Sequence, residues 1–395
     1  MRMSSLDDVF GQLDGIAAWQ EALYRDLHAH PELPMQEART RSIVAEQLRE
    51  FGFQVTELGG GVVGVLRNGD GPTVLFRADM DALPVTEATG LDYASVNEGV
   101  MHACGHDVHV ACGLGAARLL AASTGQWSGT YIALFQPAEE IGAGARSMVE
   151  AGLTDAVPKP DVALGQHVYT YEAGHVQTKP GPIFSAGDSI KVTVFGSGSH
   201  GSMPHLGVDP VVLGSNIVLR LQTIVSRSIP PGTFGVVTVG AFNAGSKSNV
   251  IGDRAELLLN VRTFETDVRD HILAEIEHIV RSECESSHSP RDPEFAYYDQ
   301  FPLTNNDAAT HDRVRAAFDD HFGDRVSDSG RLTASEDFSN IPTAWGVPYC
   351  YWTIGGFAPG SEVVPNHNPR FAPVPQPTLR TGTEAAVTAA FAYLG

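Results

Sequence analysis

Residues 130–140 read TYIALFQPAEE. The first seven form a near-continuous apolar run, the pattern of a strand buried on both faces. Two carboxylates, Glu139 and Glu140, follow within one turn of its end. Strands of that kind belong to sheets sandwiched by helices, and in open α/β sheets functional sites gather where the strands end.

The flanking sequence fits. FQVTEL, VVGVLR and TVLFRA are short apolar runs bounded by Gly and Asp turns. DVALGQHV at 161–168 is a further strand, and residues 107–122, rich in Ala and Leu, read as a helix. Leu13, Ile16, Trp19, Leu23 and Leu27 recur every three or four residues and predict a helix over 12–29. Pro31 and Pro34 in HAHPELP end it. Another helix is expected at 37–51, closed by Gly52. Strands alternating with helices predict an α/β fold, a mostly parallel sheet sandwiched by helices.

The texture changes near residue 185. SIKVTVFG alternates, a helix is expected at 208–227, strands at 234–242 and 254–263, a helix at 267–284, and EFAYYDQF is a strand. This β-α-β-β-α-β order is that of a ferredoxin-like α+β sandwich. A helix at 307–322, the strand YCYWTI and a helix at 377–394 then resume the first style. The reading is a discontinuous domain, 1–184 and 301–395, with 185–300 inserted as a second domain.

The chain has 395 residues, with 26 Lys+Arg against 47 Asp+Glu, a net charge of −21. Such a field repels nucleic acid and anionic membrane surfaces. A composition 43% apolar and 18% charged excludes disorder. No stretch of 18 apolar residues predicts a membrane span. The start, MRMSSLDDVFGQLDG, lacks a secretory pattern, and four scattered cysteines are no disulfide framework. A cytoplasmic location is expected.

Several places offer chemistry. In MHACGHDVHVACGLG, Cys104 and His106 stand just before a helix, whose start would lower a thiol's pKa. They suit a borderline-soft metal, or equally a buried structural cysteine beside a hydrogen-bonded histidine. Glu139 and Glu140 form either a solvated acidic turn or a pair in which one carboxylate binds metal and the other takes a proton. His167 in GQHV and His367 in PNHNPRF are each a ligand or a satisfied polar partner. Asp79 and Asp81 in FRADMDALP could orient a ligand histidine. One thiol, three imidazoles and several carboxylates at strand ends suit a two-metal site. An anionic substrate would need a local cation, for which Arg262 and Arg370 are candidates. Phe184, Met203, Phe338 and Trp345 could line an apolar pocket or pack in cores.

Taken together, LHAHPELPMQE, FRADMDALP, MHACGHD, QPAEE, GQHV, GSHGSMPH, NVIGD, SEDF and HNPRF occur in an order that resembles the zinc-dependent amidohydrolase family of aminoacylases, hippurate hydrolases and indole-acetyl-amino-acid hydrolases. The resemblance covers nearly the whole chain and is nearest to N-acyl-amino-acid and N-acyl-glutamine aminoacylases. It implies a two-zinc aminopeptidase-like domain with a lid and dimerisation insert. It further implies two divalent ions, zinc first, with manganese, cobalt or nickel as alternatives. Cys104, His106, Glu140, His167 and His367 would be the metal ligands, Glu139 the general base for a metal-bound water, and Asp81 a support behind the ligands. His200 would reach the scissile carbonyl, often across a homodimer interface, and Asn249 would hold substrate. Gly252 stands where relatives commonly have Pro, and Ser199 where they often have Gly, so fine specificity transfers less well than chemistry.

The function implied is hydrolysis of N-acyl-L-amino acids to a free amino acid and a carboxylic acid. The alternative is a metallo-exopeptidase of the same clan. A cysteine hydrolase using Cys104, or a binding protein without activity, fits less well, because residues two apart align a base poorly and Glu139 would be idle.

Overall fold

The computed structural model describes residues 3–395, with side chains from residue 6. The chain divides into two compact units, one of 1–183, 304–331 and 337–395, the other of 184–303 and 332–336.

The first unit is built on an eight-stranded sheet. In spatial order its strands are Gln54–Leu58, Gly61–Asn68, Gly129–Gln136, Thr73–Asp79, Val162–Glu172, Tyr349–Phe357, Val176–Thr178 and Val326–Asp328. The central pairings, Gly129–Gln136 with Thr73–Asp79, Thr73–Asp79 with Val162–Glu172, and Val162–Glu172 with Tyr349–Phe357, are parallel. Antiparallel pairings flank them. Every residue of Gly129–Gln136 is buried, so both faces of the sheet are covered there. The helices Leu13–Ala29, Ala38–Glu50, His106–Ala122, Ala308–Phe322 and Pro375–Leu394 supply the cover, with Leu27, Leu48, Leu114, Phe318 and Leu379 in the core.

Two differences from the sequence reading have physical causes. The strands Val176–Thr178 and Val326–Asp328, the last two in the sheet, span three residues each, too few for an alternation to register. Val162–Glu172 continues past the apolar run, because its pairing with Tyr349–Phe357 goes on after the burial has ended near Val168. Residues Met3–Phe10 form an additional helix.

The second unit has a four-stranded antiparallel sheet in the order Gly235–Ala244, Arg254–Thr263, Ala186–Phe195, Glu294–Phe301, with helices Pro210–Thr223 and Thr266–Ser286. This is the ferredoxin-like order. Asp209 caps the first helix by accepting from Val211 and Val212 N–H, and Pro210 follows at the position where no donor is missed. Arg254–Thr263 alternates between exposed or half-buried and buried residues, as a strand with one covered face should. Among the described residues, no helix is long and apolar enough to cross a membrane.

Candidate metal centre

The ends of the parallel strands and the start of one helix bring the polar side chains of the first unit together. Gly105 separates Cys104 from His106 and has φ 89°, a conformation that disfavours a side chain. A Cβ there would also meet Val168 at 2.3 Å. Glycine is therefore required for the chain to place the thiol just before the helix His106–Ala122 and the imidazole on its first residue.

Cys104 Sγ lies 3.4 Å from His167 Nε2. His106 Nε2 lies 3.8 Å from Glu140 Oε1 and 3.9 Å from Glu139 Oε2, and His367 Nε2 lies 3.4 Å from Glu140 Oε2. Cys104, His106, His167, Glu139 and Glu140 are buried or nearly so, whereas the His367 side chain is half exposed. The groupings Cys104–His106–His167, Cys104–Glu140–His367 and His106–Glu139–Glu140 each keep their ligand atoms within 4.8 Å.

Outer partners fix the rings. Asp81 Oδ1 accepts from His106 Nδ1 at 3.1 Å, which turns Nε2 toward the cluster. Asp81 Oδ2 accepts from Glu140 N–H at 3.0 Å. Val168 O accepts from His167 Nδ1 at 2.6 Å, leaving the His167 Nε2 lone pair for Cys104 or a cation. Val168 also donates its N–H to His109 Nε2 at 2.8 Å, and His109 Nδ1 donates to Asp79 at 2.5 Å. Asp79 pairs with the fully buried Arg77 at 2.7 Å, and Arg77 reaches Asp337 at 3.2 Å. Asp79 and Asp81 thus have separate tasks. His109, Arg77 and Asp337 were not singled out from sequence, and only the position of His109 one helical turn from His106 hinted at a role.

The electrostatics favour an added cation. Burial, then the charge of Glu140, pushes the Cys104 thiol well above its ordinary range, opposite to the lowering expected from the helix start. Burial raises the Glu140 carboxyl to about 8. Burial opposes charging His106, but the Asp79 charge and the Asp81 hydrogen bond outweigh it and raise its pKa. Surroundings that favour an imidazolium favour a metal ion too. His106 Nε2 and Glu140 Oε1 are buried without a hydrogen-bond partner. Two orphaned donor atoms within a set of thiol, imidazole and carboxylate fit a divalent metal site.

His200, Asn249 and Arg262 lie in the second unit. His200 is exposed, its Nδ1 2.7 Å from Ser202 Oγ. Asn249 is exposed beside it, because Gly201 N–H donates to Asn249 O and Val250 pairs with His200. Arg262 donates to Asn260 at 3.0 Å and sits against Ser335 Oγ, so part of its donor fork is used within the unit. Arg370, in the first unit, pairs with Glu362 at 3.1 Å on the surface. Phe184, Phe338 and Trp345 are buried, whereas Met203 is about half exposed.

A family model described as peptidase family M20/M25/M40 matches residues 75–391. An N-acetyl-L-cysteine deacetylase of Bacillus subtilis is 42% identical over 258 residues, 63% of this chain and 60% of that protein. Thermostable carboxypeptidase 2 of Saccharolobus solfataricus is 34% identical over 97% of both chains. The crystal structure of a Bacillus subtilis dinuclear metal-binding peptidase from the M20 family superposes with a TM-score of 0.79 at 28% identity, over 95% of this chain and 98% of that one.

Proposed function

The chain belongs to peptidase family M20/M25/M40, and we propose that it hydrolyses N-acyl-L-amino acids to a free amino acid and a carboxylic acid. The observation that carries this reading is the buried, orphaned pair His106 Nε2 and Glu140 Oε1 within a cluster of metal-binding side chains, with Glu139 beside it. A relative named for deacetylating an N-acylated amino acid supports the substrate class.

In this proposal Cys104, His106, Glu140, His167 and His367 hold two divalent ions, with zinc the metal that thiol and imidazole ligands favour. Bound there, the ions would polarise the amide carbonyl and acidify water. Glu139 takes a proton from the attacking water as the new C–O bond forms. It returns that proton to the nitrogen as the C–N bond breaks. Asp81 keeps His106 and the Glu139–Glu140 turn in register through its two hydrogen bonds. His200 donates to the oxyanion, and Asn249 and Arg262 bind substrate polar groups. A homodimer is part of this reading, with His200 acting either in trans or within its own chain. In support, Gly235–Ala244 is an open sheet edge, and Val211, Val212 and Leu219 are exposed apolar residues of the same unit.

The second reading is an exopeptidase, favoured by the full-length likeness to a carboxypeptidase. One experiment separates them. Metal-loaded protein is incubated with a panel of N-acyl amino acids and dipeptides, and products are read by mass. Release from the acyl amino acids carries the proposal, and release from dipeptides alone overturns it. Glu139→Gln should lower kcat by about 10²–10⁴-fold with metal content retained.

A further inference from the structure

The motif LHAHPELPMQE has no task in the mechanism above. Its last residue, Glu37, is 4% exposed. Glu37 Oε1 accepts two backbone hydrogen bonds, from Ala138 N at 2.8 Å and from Met35 N at 3.0 Å. Both donors belong to left-handed residues that are not glycine, Ala138 with φ 49° and Met35 with φ 63°. That conformation is costly for a side chain and persists only where its surroundings impose it.

Local structure explains why Glu37 is available. It occupies the N-cap position of Ala38–Glu50 but makes no capping hydrogen bond. Glu32 does that work instead, accepting from Arg39 N at 2.9 Å and Thr40 N at 2.8 Å. Ala138 immediately precedes Glu139 and Glu140. On the far side of Glu139, Glu140 N–H is held by Asp81 at 3.0 Å. Two buried carboxylates thus grip the peptide N–H groups on either side of Glu139.

We propose that Glu37 is a positioning residue: it holds Ala138 left-handed and so aims Glu139 and Glu140 into the metal cluster. This rests on the reading of Glu139 as base and Glu140 as ligand. Because one oxygen accepts both hydrogen bonds, an amide oxygen at position 37 can replace it and an aliphatic side chain cannot. Glycine at 138 adopts the left-handed conformation without help.

The test uses the full-length protein, with zinc affinity measured by competition with a chromophoric chelator, alongside kcat and KM. Glu37→Leu should weaken zinc binding by about 10–100-fold and lower kcat with little change in KM. Glu37→Gln should keep both near wild type, and Ala138→Gly should restore Glu37→Leu toward wild type. Unchanged zinc affinity in Glu37→Leu overturns the proposal. So does a loss that Ala138→Gly leaves unrestored, or an equal loss in Glu37→Gln. Glu37→Ala replaces Glu37→Leu in the same comparison if the larger side chain prevents folding. Glu139→Gln separates the two readings: full kcat in that variant sinks the base assignment, while the zinc affinities still judge the clamp.

Discussion

His106 Nε2 and Glu140 Oε1 face each other at 3.8 Å, both buried and neither with a hydrogen-bond partner. Uncompensated buried polar atoms of this kind are destabilising by about 1–3 kcal/mol each. A bound cation would remove that cost. Chelation should therefore lower the melting temperature as well as abolish activity, and zinc should restore both. Free metal at about 100-fold above its Kd would contribute about 2.7 kcal/mol. A melting temperature indifferent to chelator and zinc would contradict the site.

Asp81 has both oxygens committed to N–H donors, His106 Nδ1 and Glu140 N. Asp81→Asn presents an NH2 group to one of them, so one donor must face another. Zinc affinity should fall by about 10–100-fold with the global fold retained. Circular dichroism and a zinc titration of the stripped protein check both halves of this expectation.

Stability should depend on pH through His28. Burial opposes its charge, but the Asp107 and Glu87 carboxylates at 2.6 and 3.3 Å outweigh that and raise its pKa from 6.5 to about 9. A base whose folded pKa is raised contributes stability below its unfolded value and loses it as pH rises through the folded one. The contribution, about 3 kcal/mol at most, should be complete below pH 6.5 and gone above about 9. Melting curves of wild type and His28→Gln should converge as pH rises across that window. A constant gap between them would refute the assignment.

If His200 acts in trans, a His200→Ala protein and a Glu139→Gln protein, each inactive, should complement when refolded together. Half of randomly paired dimers are mixed, and each has one intact site of two, so about a quarter of wild-type activity should return. No recovery from dimers verified as mixed places His200 within its own chain or outside the chemistry.

Arg77 is fully buried between Asp79 and Asp337. Arg77→Leu leaves two buried carboxylates without their cation. Loss of one partner from such a network costs about 3–5 kcal/mol. Denaturant melts at neutral pH should show it, and a loss under 1 kcal/mol would mean that the carboxylates find other partners.

The α/β order and the inserted β-α-β-β-α-β segment were legible because long apolar runs and alternations survive in the linear pattern. TYIALFQ is buried at every position, and Arg254–Thr263 at every second one. The three-residue strands at Val176 and Val326 were not legible, since hydrogen bonding to neighbours distant in sequence defines them. The site residues were legible as chemical types near strand ends. Their partners were less so: Arg77 looks like an ordinary strand residue until the fold buries it beside Asp79 and Asp337.

The sequence by itself determined which residue types stand at the ends of which elements, because periodicity and chain-breaking residues are local properties. Tertiary structure alone decided that Asp81 serves His106 and Glu140, that Asp79 serves Arg77 and His109, and that Glu37 reaches across about a hundred residues of chain to Ala138. Those choices depend on which backbone groups become buried together, and burial with an unmet hydrogen bond is the condition a carboxylate from elsewhere in the chain resolves.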